Sequence, residues 1–203
     1  MQLKYLRVDL SRYFYPNDST TQCSLCTKLR LIITTQGIWA IVVYRFRRWV
    51  NVECQFCPLR LLLKPVGCLM QLMVESLTGI HIEPEIDIGP GFYIGHFGNI
   101  FLGGHMRIGK ITSISHEVTV GYAGRGDKWG LPTIGDFVYI APGAKIFGRI
   151  SIGNHVAVGA NAVVTKDLPE NAVAVGVPAR IINYRSSRDF VQFNRERCRE
   201  ILE

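Results

Sequence analysis

The sequence predicts a mostly β protein in which short parallel strands stack into a solenoid, with helices before the solenoid and a short helix after it. Three observations indicate this fold: an aliphatic residue returns every six positions from Ile82, a glycine often follows it, and amphipathic stretches precede the repeat. A six-residue period sustained over about 80 residues matches neither the 3.6-residue period of a helix nor the two-residue alternation of a strand. Each unit is therefore one strand and one corner, and three units form one triangular coil.

The aliphatic positions form three runs, which we expect to point into the solenoid. They are Ile82, Ile88, Ile94, Ile100, Ile108, Ile114, Val120, Ile134, Ile140, Ile146, Ile152, Val158 and Val164. At this spacing, residues 82–170 stack into about five coils. The glycines beside them are expected to allow tight corners with positive φ angles. These glycines are Gly89, Gly95, Gly109, Gly121, Gly135, Gly153 and Gly159.

The repeat is interrupted twice. Between Ile100 and Ile108 the phase slips by two residues, which predicts a bulged corner. Between Val120 and Ile134 lies a glycine-rich insertion, residues 121–133, which predicts a protruding loop. Loops carried on a rigid scaffold are typical sites of function.

The composition divides the chain into three parts. Residues 1–80 form an N-terminal helical segment, with amphipathic stretches at 27–50 and 57–77 separated by residues 51–55. Residues 81–182 form the solenoid domain. Residues 183–203 form the C-terminal tail, in which 187–202 predict a short charged helix that closes the open end of the solenoid.

The net charge of +7 is concentrated in the first part, where residues 1–80 hold ten Lys and Arg against four Asp and Glu. A nucleic-acid partner is not expected, because the central region lacks a basic stripe with interleaved aromatic residues. Arg45, Arg47 and Arg48 lie beside Trp39, Tyr44, Phe46 and Trp49. This cluster suits either an ordinary solvated helix face, or contact with an anionic membrane or a phosphate-bearing substrate.

The N-terminal region shows neither a secretory signal nor a long uncharged span. The uncharged run over residues 31–44 is shorter than the roughly 20 residues that cross a bilayer. We therefore expect a cytoplasmic protein, with peripheral contact at the inner membrane face through its N-terminal segment.

Several segments together resemble the hexapeptide-repeat acyltransferases, and among them the serine acetyltransferases. The segments are QGIWA at 36–40, IGHFG at 94–98, VTVG at 118–121, IAPGAKI at 140–146 and GVPAR at 176–180. The resemblance implies a left-handed parallel β-helix and an acetyl-CoA-dependent O-acetyltransferase. It also implies a homotrimer with each active site between adjacent solenoids, and no metal.

The resemblance makes His96, in IGHFG, the candidate catalytic base. An alcohol is a poor nucleophile toward a thioester, and a neutral imidazole can accept its proton as it attacks. A backbone N–H at a glycine corner can stabilise the oxyanion. The candidate acceptor-binding residues are His81, Glu83, His116, Asp127 and Trp129. The candidate acetyl-CoA contacts are Gly121, Tyr122, Ala123, Ala141, Gly143, Gly159 and Ala160, with Lys166 and Arg180 for the phosphates.

Three positions depart from the serine acetyltransferase pattern. Gly95 stands where those enzymes carry an Asp, His81 stands at the position of the acidic partner of the catalytic His, and the loop lacks their second His. The expected acceptor is therefore either L-serine, in cysteine biosynthesis, or a sugar hydroxyl in surface polysaccharide synthesis. The sugar is slightly favoured.

Two alternatives to an acetyltransferase remain open. One is a metalloenzyme on the same scaffold, such as a β-helix carbonic anhydrase, although His96, His105 and His116 lack its ligand spacing. The other is a non-catalytic scaffold.

Four of the six cysteines form two C-x-x-C pairs, Cys23 with Cys26 and Cys54 with Cys57. The 27 residues between the pairs exceed the spacing usual for zinc. We expect reduced thiols and no metal.

Overall fold

The computed structural model describes residues 1–15, 23–196 and 198–199. Among these residues, four helices precede the solenoid, and a short π-helical segment, Trp49–Glu53, follows the third of them. The helices are α1 (Gln2–Phe14), α2 (Leu25–Thr34), α3 (Gln36–Arg48) and α4 (Cys57–Thr78). The predicted stretch 27–50 is thus divided at Thr35, where the chain bends by 83°.

The strands form three sheets around a triangular solenoid, in agreement with the predicted fold class. Sheet A contains β1 (Ile80–Ile82), β4 (Ile100–Leu102), β7 (Thr119–Gly121), β10 (Lys145–Phe147) and β13 (Val163–Val164). Sheet B contains β2 (Asp87–Ile88), β5 (Arg107–Ile108), β8 (Thr133–Ile134) and β11 (Ser151–Ile152). Sheet C contains β3 (Tyr93–Ile94), β6 (Ser113–Ile114), β9 (Tyr139–Ile140), β12 (Ala157–Val158), β14 (Val173–Val175) and β15 (Arg180–Asn183).

All strand pairs are parallel except β14 with β15, and five coils are stacked. Every one of the thirteen predicted inward residues is at most 2% exposed, which confirms the six-residue period. Burying each such side chain contributes about 1.5–3 kcal/mol. The core of the solenoid is therefore the stack of these residues.

The phase slip lies in a different corner from the predicted one. Ile82 pairs with Leu102 and Leu102 with Val120, so Leu102 rather than Ile100 holds the repeat position in the second coil. Eight positions separate Ile94 from Leu102, against six from Ile114 to Val120. The two extra residues therefore enlarge the corner 95–99, which carries His96.

The glycines after the aliphatic residues do not adopt the positive φ angles that were predicted for them. The seven residues are all described, and none has a positive φ angle; positive angles occur two positions further on, as at Ile111 and Phe137. A Cβ at Gly109 would lie 2.5 Å from the carbonyl carbon of Gly135, and one at Gly89 would lie 2.7 Å from the amide nitrogen of Lys110. At five of the seven positions glycine is needed because successive coils approach closely, whereas Gly95 and Gly121 have no neighbour nearer than 3.6 Å.

Two buried tyrosines cap the open end of the first coil. The Tyr13 hydroxyl donates to the Ile94 carbonyl at 3.0 Å and accepts from the Ile94 amide at 2.9 Å. The Tyr44 hydroxyl donates to the Ile86 carbonyl at 2.7 Å and accepts from the Ile88 amide at 3.2 Å. Burial raises the pKa of Tyr44 to about 12. These bonds replace those that a further coil would have made to an exposed strand edge.

A buried ion pair completes this cap. Arg45 is 2% exposed and binds Asp9 at 2.8 Å, and it donates to the carbonyls of Ile88 and Gly89, each at 2.7 Å. Both expected roles of the arginine cluster are therefore wrong for Arg45, which lies neither on a solvated face nor on a ligand-binding one. Arg48 likewise bonds the carbonyl of Glu85 at 2.7 Å.

The predicted C-terminal helix is not formed over the described residues 187–196. After β15 the chain runs back along sheet C instead of closing the end of the solenoid. The Ser187 amide bonds the carbonyl of His155, Phe190 stacks on Tyr139, and the carbonyl of Gln192 accepts from Arg12 at 2.7 Å. These contacts with separate coils hold the segment in an irregular path. Residues 200–203 lie outside the described part.

One helix, α4, is long and apolar enough to cross a membrane, although only 17% of its apolar stretch is buried. Helices α2 and α3 with the segment that follows pass the same test only as a bent pair. The sequence shows no long uncharged run in α4, because Arg60, Lys64 and Glu75 interrupt it.

Candidate functional site

The corners that lead from sheet C to sheet A stack into one ridge, which we call the C–A edge and which comprises corners 95–99, 115–118, 141–144 and 159–162. Backbone bonds hold them in line: Glu117 to Gly98 at 2.9 Å, Gly143 to His116 at 3.1 Å and Asn161 to Pro142 at 2.9 Å. Six predicted site residues share this ridge: His96, His116, Ala141, Gly143, Gly159 and Ala160.

The two histidines are neighbours on consecutive coils. The ring centroids of His96 and His116 lie 5.8 Å apart, with the planes at 79°. His96 is exposed at the enlarged corner, whereas His116 is half-buried. The Nδ1 atom of His116 is buried and has no hydrogen-bond partner in the described part of the chain. A buried polar nitrogen in this state is stabilised by a ligand that brings a complementary group.

Arg180 lies toward the far end of the same edge. It begins β15, where it pairs with Val175 at the end of β14. The Gly159 amide donates to the neighbouring Ala174 carbonyl at 2.8 Å. The C–A edge therefore runs from an imidazole in the first coil, past small residues, to a guanidinium in the fifth.

The protruding loop lies on another edge, between sheets A and B. It continues from Gly121 at the end of β7, and Ala123 pairs with Gly130 through two backbone bonds of 3.2 and 3.1 Å. Tyr122 stacks on Trp129 with centroids 6.0 Å apart, and both are about half exposed. Asp127 is exposed within the 3₁₀ turn Gly126–Lys128. Lys166, which follows β13, also lies on this side of the solenoid.

His81 and Glu83 are held by α4 and by the second coil. His81 stacks on Phe101 at 4.9 Å, and its Nδ1 bonds Glu75 of α4. Glu83 accepts the Gly104 amide at 2.6 Å. Neither residue has a hydrogen bond or ion pair to His96 among the described residues. Glu75, which the sequence analysis missed, is therefore the acidic partner of His81.

A single chain thus brings together only part of the predicted site. His96 and His116 share an edge with five of the predicted coenzyme contacts, Arg180 included. Gly121, Tyr122, Ala123, Asp127 and Trp129 lie on the other side of sheet A. The loop therefore does not contribute to the environment of His96 within one solenoid.

A small cavity lies beside the C–A edge, and the sequence did not indicate which residues line it. Its volume is about 100 Å³, and Tyr93, Gly95, Ser115, Phe190 and Gln192 are among the residues that line it. The last two reach it only because the C-terminal segment folds back on sheet C. No local motif could have indicated a contact between parts of the chain so far apart.

Within the described residues, no group of three or more His, Cys, Asp or Glu side chains is placed to hold a metal ion. All six cysteines are free thiols, including the four of the C-x-x-C pairs. The part of the chain that the structure describes therefore contains no ligand set for the carbonic anhydrase alternative or for zinc at these pairs.

No protein-family model matches the chain. It is 34% identical over 155 residues to the serine acetyltransferase of Helicobacter pylori strain J99, covering 76% of this chain and 86% of that protein. The chain belongs to the serine acetyltransferase family. It is also 35% identical over 156 residues to the Mycobacterium tuberculosis serine acetyltransferase. That match covers 77% of this chain and only 65% of the mycobacterial enzyme.

Solved serine acetyltransferase structures share the fold. The Brucella abortus strain S19 enzyme in complex with coenzyme A has a TM-score of 0.72 at 28% identity, covering 90% of this chain and 68% of that one. The Neisseria gonorrhoeae enzyme in complex with serine has a TM-score of 0.69 at 28% identity, covering 88% and 68%. These comparisons confirm the predicted resemblance to the serine acetyltransferases.

Proposed function

We propose that this chain transfers an acetyl group from acetyl-CoA to the hydroxyl of L-serine. The observation that carries the proposal is the C–A edge, on which an exposed imidazole, a row of small residues and an arginine lie in line. Membership of the serine acetyltransferase family, with relatives solved in complex with coenzyme A and with serine, supports both substrates. The serine hydroxyl is therefore the first acceptor to test.

In the proposed reaction His96 acts as general base. Its imidazole accepts the hydroxyl proton while the hydroxyl oxygen attacks the thioester carbon, giving a tetrahedral oxyanion. The carbon–sulfur bond then breaks, and the imidazolium returns the proton to the departing thiolate, so that free coenzyme A and the acetyl ester leave. A positioned base of this kind typically contributes about 10²–10⁴-fold to the rate.

Acetyl-CoA would lie along the C–A edge with its thioester at His96. Ala141, Gly143, Gly159 and Ala160 have small side chains or none, so no large side chain of theirs covers the backbone along this edge. Arg180 is exposed at the far end, where its guanidinium suits phosphate oxygens. The edge would therefore place a base at the thioester, small residues along the coenzyme and a cation at its phosphates.

We further propose that three chains assemble with the loop of one chain against the C–A edge of the next. The separation of the predicted site residues onto two edges supports this arrangement, because only a neighbouring chain can bring Tyr122, Asp127 and Trp129 toward His96. The same contact would place Lys166 of one chain on the coenzyme side of its neighbour. The active site would then be complete only in the trimer.

His116 is the proposed partner of His96 on the acceptor side. Its ring stands edge-on to His96, and its buried Nδ1 needs a hydrogen-bonding group from the acceptor or coenzyme. This role matters here because Gly95 and His81 occupy the positions at which the resemblance expects acidic residues.

The comparisons do not support the sugar acceptor that the sequence slightly favoured, although a direct assay can distinguish the two. The protein is incubated with acetyl-CoA and either L-serine or a panel of sugars, and free thiol is followed with time. We expect thiol release that depends on L-serine. Release with sugars only would refute the proposed acceptor, and release with none of them above the rate of hydrolysis would refute acetyl transfer.

A further inference from the structure

The outer surface of α4 is unusually apolar for a helix at a protein surface. Eight of its large apolar side chains are between 36% and 74% exposed: Leu59, Leu61, Leu62, Val66, Leu69, Leu72, Met73 and Leu77. The helix has 22 residues and is about 33 Å long. Soluble monomers rarely expose continuous apolar patches of more than a few hundred Å². This surface therefore indicates an interaction site.

Helix α2 adds a second apolar surface on the same helical layer. None of its ten residues is buried, and Leu25, Leu29, Ile32 and Ile33 are between 38% and 72% exposed. Both α2 and α4 pack against α3. The two helices thus use little of their apolar surface within the chain.

The inner face of α4 is already occupied. Gly67, Gln71, Val74 and Thr78 are its buried residues, and the helix continues through Gly79 directly into β1. A helix that crossed the bilayer would have to leave α3 and pull on the first coil. The contacts of α4 therefore favour a helix that lies along a surface, although its length would allow a span.

The charge of this region identifies the kind of surface. Residues 23–74 contain seven Lys and Arg, against Glu53 as the one acidic residue. Arg45 pairs with Asp9 and Arg48 with Asp87. Of the other five, Lys28, Arg47 and Arg60 are half-buried, whereas Arg30 on α2 and Lys64 on α4 are exposed. A two-fold contact between copies through this surface would oppose like charges. A surface of anionic lipid headgroups would complement them.

We propose that α2 and α4 dock this protein onto an anionic membrane, with α4 lying in the interface. The apolar side chains would enter the boundary between headgroups and acyl chains, while the basic residues would contact the headgroups. Because α4 leads into β1, docking would hold the first coil, which carries His96, next to the bilayer.

The test measures binding of the full chain to lipid vesicles by flotation, in about 0.1 M salt. Neutral phosphatidylcholine vesicles are compared with vesicles that also contain phosphatidylglycerol. Leu61→Gln with Leu69→Gln removes apolar side chains that are 74% and 59% exposed. The matched control is Val177→Gln with Ile182→Gln at the other end of the solenoid, where the exposures are 73% and 59%. Arg30→Gln with Lys64→Gln tests the charge, and circular dichroism checks that each variant is folded.

We expect the protein to float with anionic vesicles and much less with neutral ones. The Leu61 and Leu69 double variant should bind at least tenfold more weakly, and the control should bind like the wild type. The Arg30 and Lys64 double variant should lose about 25-fold, because each basic residue near the surface is worth about fivefold. Concentrated salt should release the protein.

Three results would overturn the proposal: no binding to anionic vesicles, equal binding to both kinds of vesicle, or bound protein that only detergent can extract. Self-association that Leu61→Gln with Leu69→Gln abolishes, without any vesicle binding, would assign the surface to a second copy instead. Thiol release from acetyl-CoA is measured separately, so this proposal can fail without affecting the proposed enzymatic function.

Discussion

The ion pair between Arg45 and Asp9 predicts that one buried side chain on α3 controls the stability of the capped solenoid. Replacing Arg45 with Met keeps most of the volume but removes the cation. The Asp9 carboxylate, which is fully buried, would keep only the amides of Gly91 and Phe92 as partners, at 2.7 and 2.8 Å. The carbonyls of Ile88 and Gly89 would lose their donor.

Breaking one side of a buried ion pair typically costs about 3–5 kcal/mol, and each unsatisfied buried acceptor costs about 1–3 kcal/mol. Because the two amides still compensate Asp9 and some relaxation is allowed, we expect Arg45→Met to lower the free energy of unfolding by about 4 kcal/mol. That is a large part of the 5–15 kcal/mol typical of a folded protein. Urea unfolding followed by circular dichroism measures the change.

The matched control is Arg47→Met on the same helix, where the guanidinium is half-buried and outside the ion pair. We expect it to change the free energy of unfolding by less than about 1 kcal/mol. Adding Asp9→Asn to Arg45→Met removes the stranded charge and should restore part of the loss. If Arg45→Met and Arg47→Met were equally mild, the cap would not depend on the ion pair.

Four further predictions concern the site and the solenoid. His96→Ala should lower the rate of thiol release at least 10²-fold while coenzyme A affinity, measured by calorimetry, changes little; a variant that keeps most of its rate would refute the base. His116→Asn should lower the rate less, and a loss equal to that of His96→Ala would make it the base instead. Gly109→Ala should lower the free energy of unfolding by about 1–3 kcal/mol, because the added Cβ would lie 2.5 Å from the backbone of the next coil. Gly121→Ala, where the nearest atom is 3.7 Å away, should change it little. Similar urea midpoints for the two variants would contradict this packing. Burial raises the pKa of the Cys198 thiol, so a smaller fraction of it is ionised at a given pH. Alkylation followed by mass spectrometry should therefore modify the exposed Cys26 and Cys68 first. A faster reaction at Cys198 would refute its buried position.

The solenoid was predictable because one side chain in every six must face its core, and this requirement appears directly in the sequence. The register of the second coil was not, since Ile100 and Leu102 are both buried and only the strand pairing distinguishes them. The glycine corners were misassigned for a related reason. A close approach to the next coil and a positive φ angle both favour glycine, and the sequence does not separate them.

The cap and the C-terminal segment could not be predicted from local patterns. Asp9, Arg12 and Arg45 are charged residues in helices, and charged residues are usually exposed. Asp9 and Arg45 are buried here because they bond backbone groups at the open end of the first coil. Arg12 is buried because it bonds the carbonyls of Gly91, Thr112 and Gln192. The segment after β15 is charged enough to suggest a helix, but its bonds to successive coils decide its path. His96 and His116 were both candidates from the sequence, whereas their contact across consecutive coils depends on how the coils stack.

The most direct test of the proposed chemistry is a crystal structure of the protein with coenzyme A. We expect the coenzyme along the C–A edge, with its sulfur within about 4 Å of the His96 imidazole and its phosphates toward Arg180. A coenzyme bound along any other edge, or a sulfur remote from His96, would contradict the proposed chemistry.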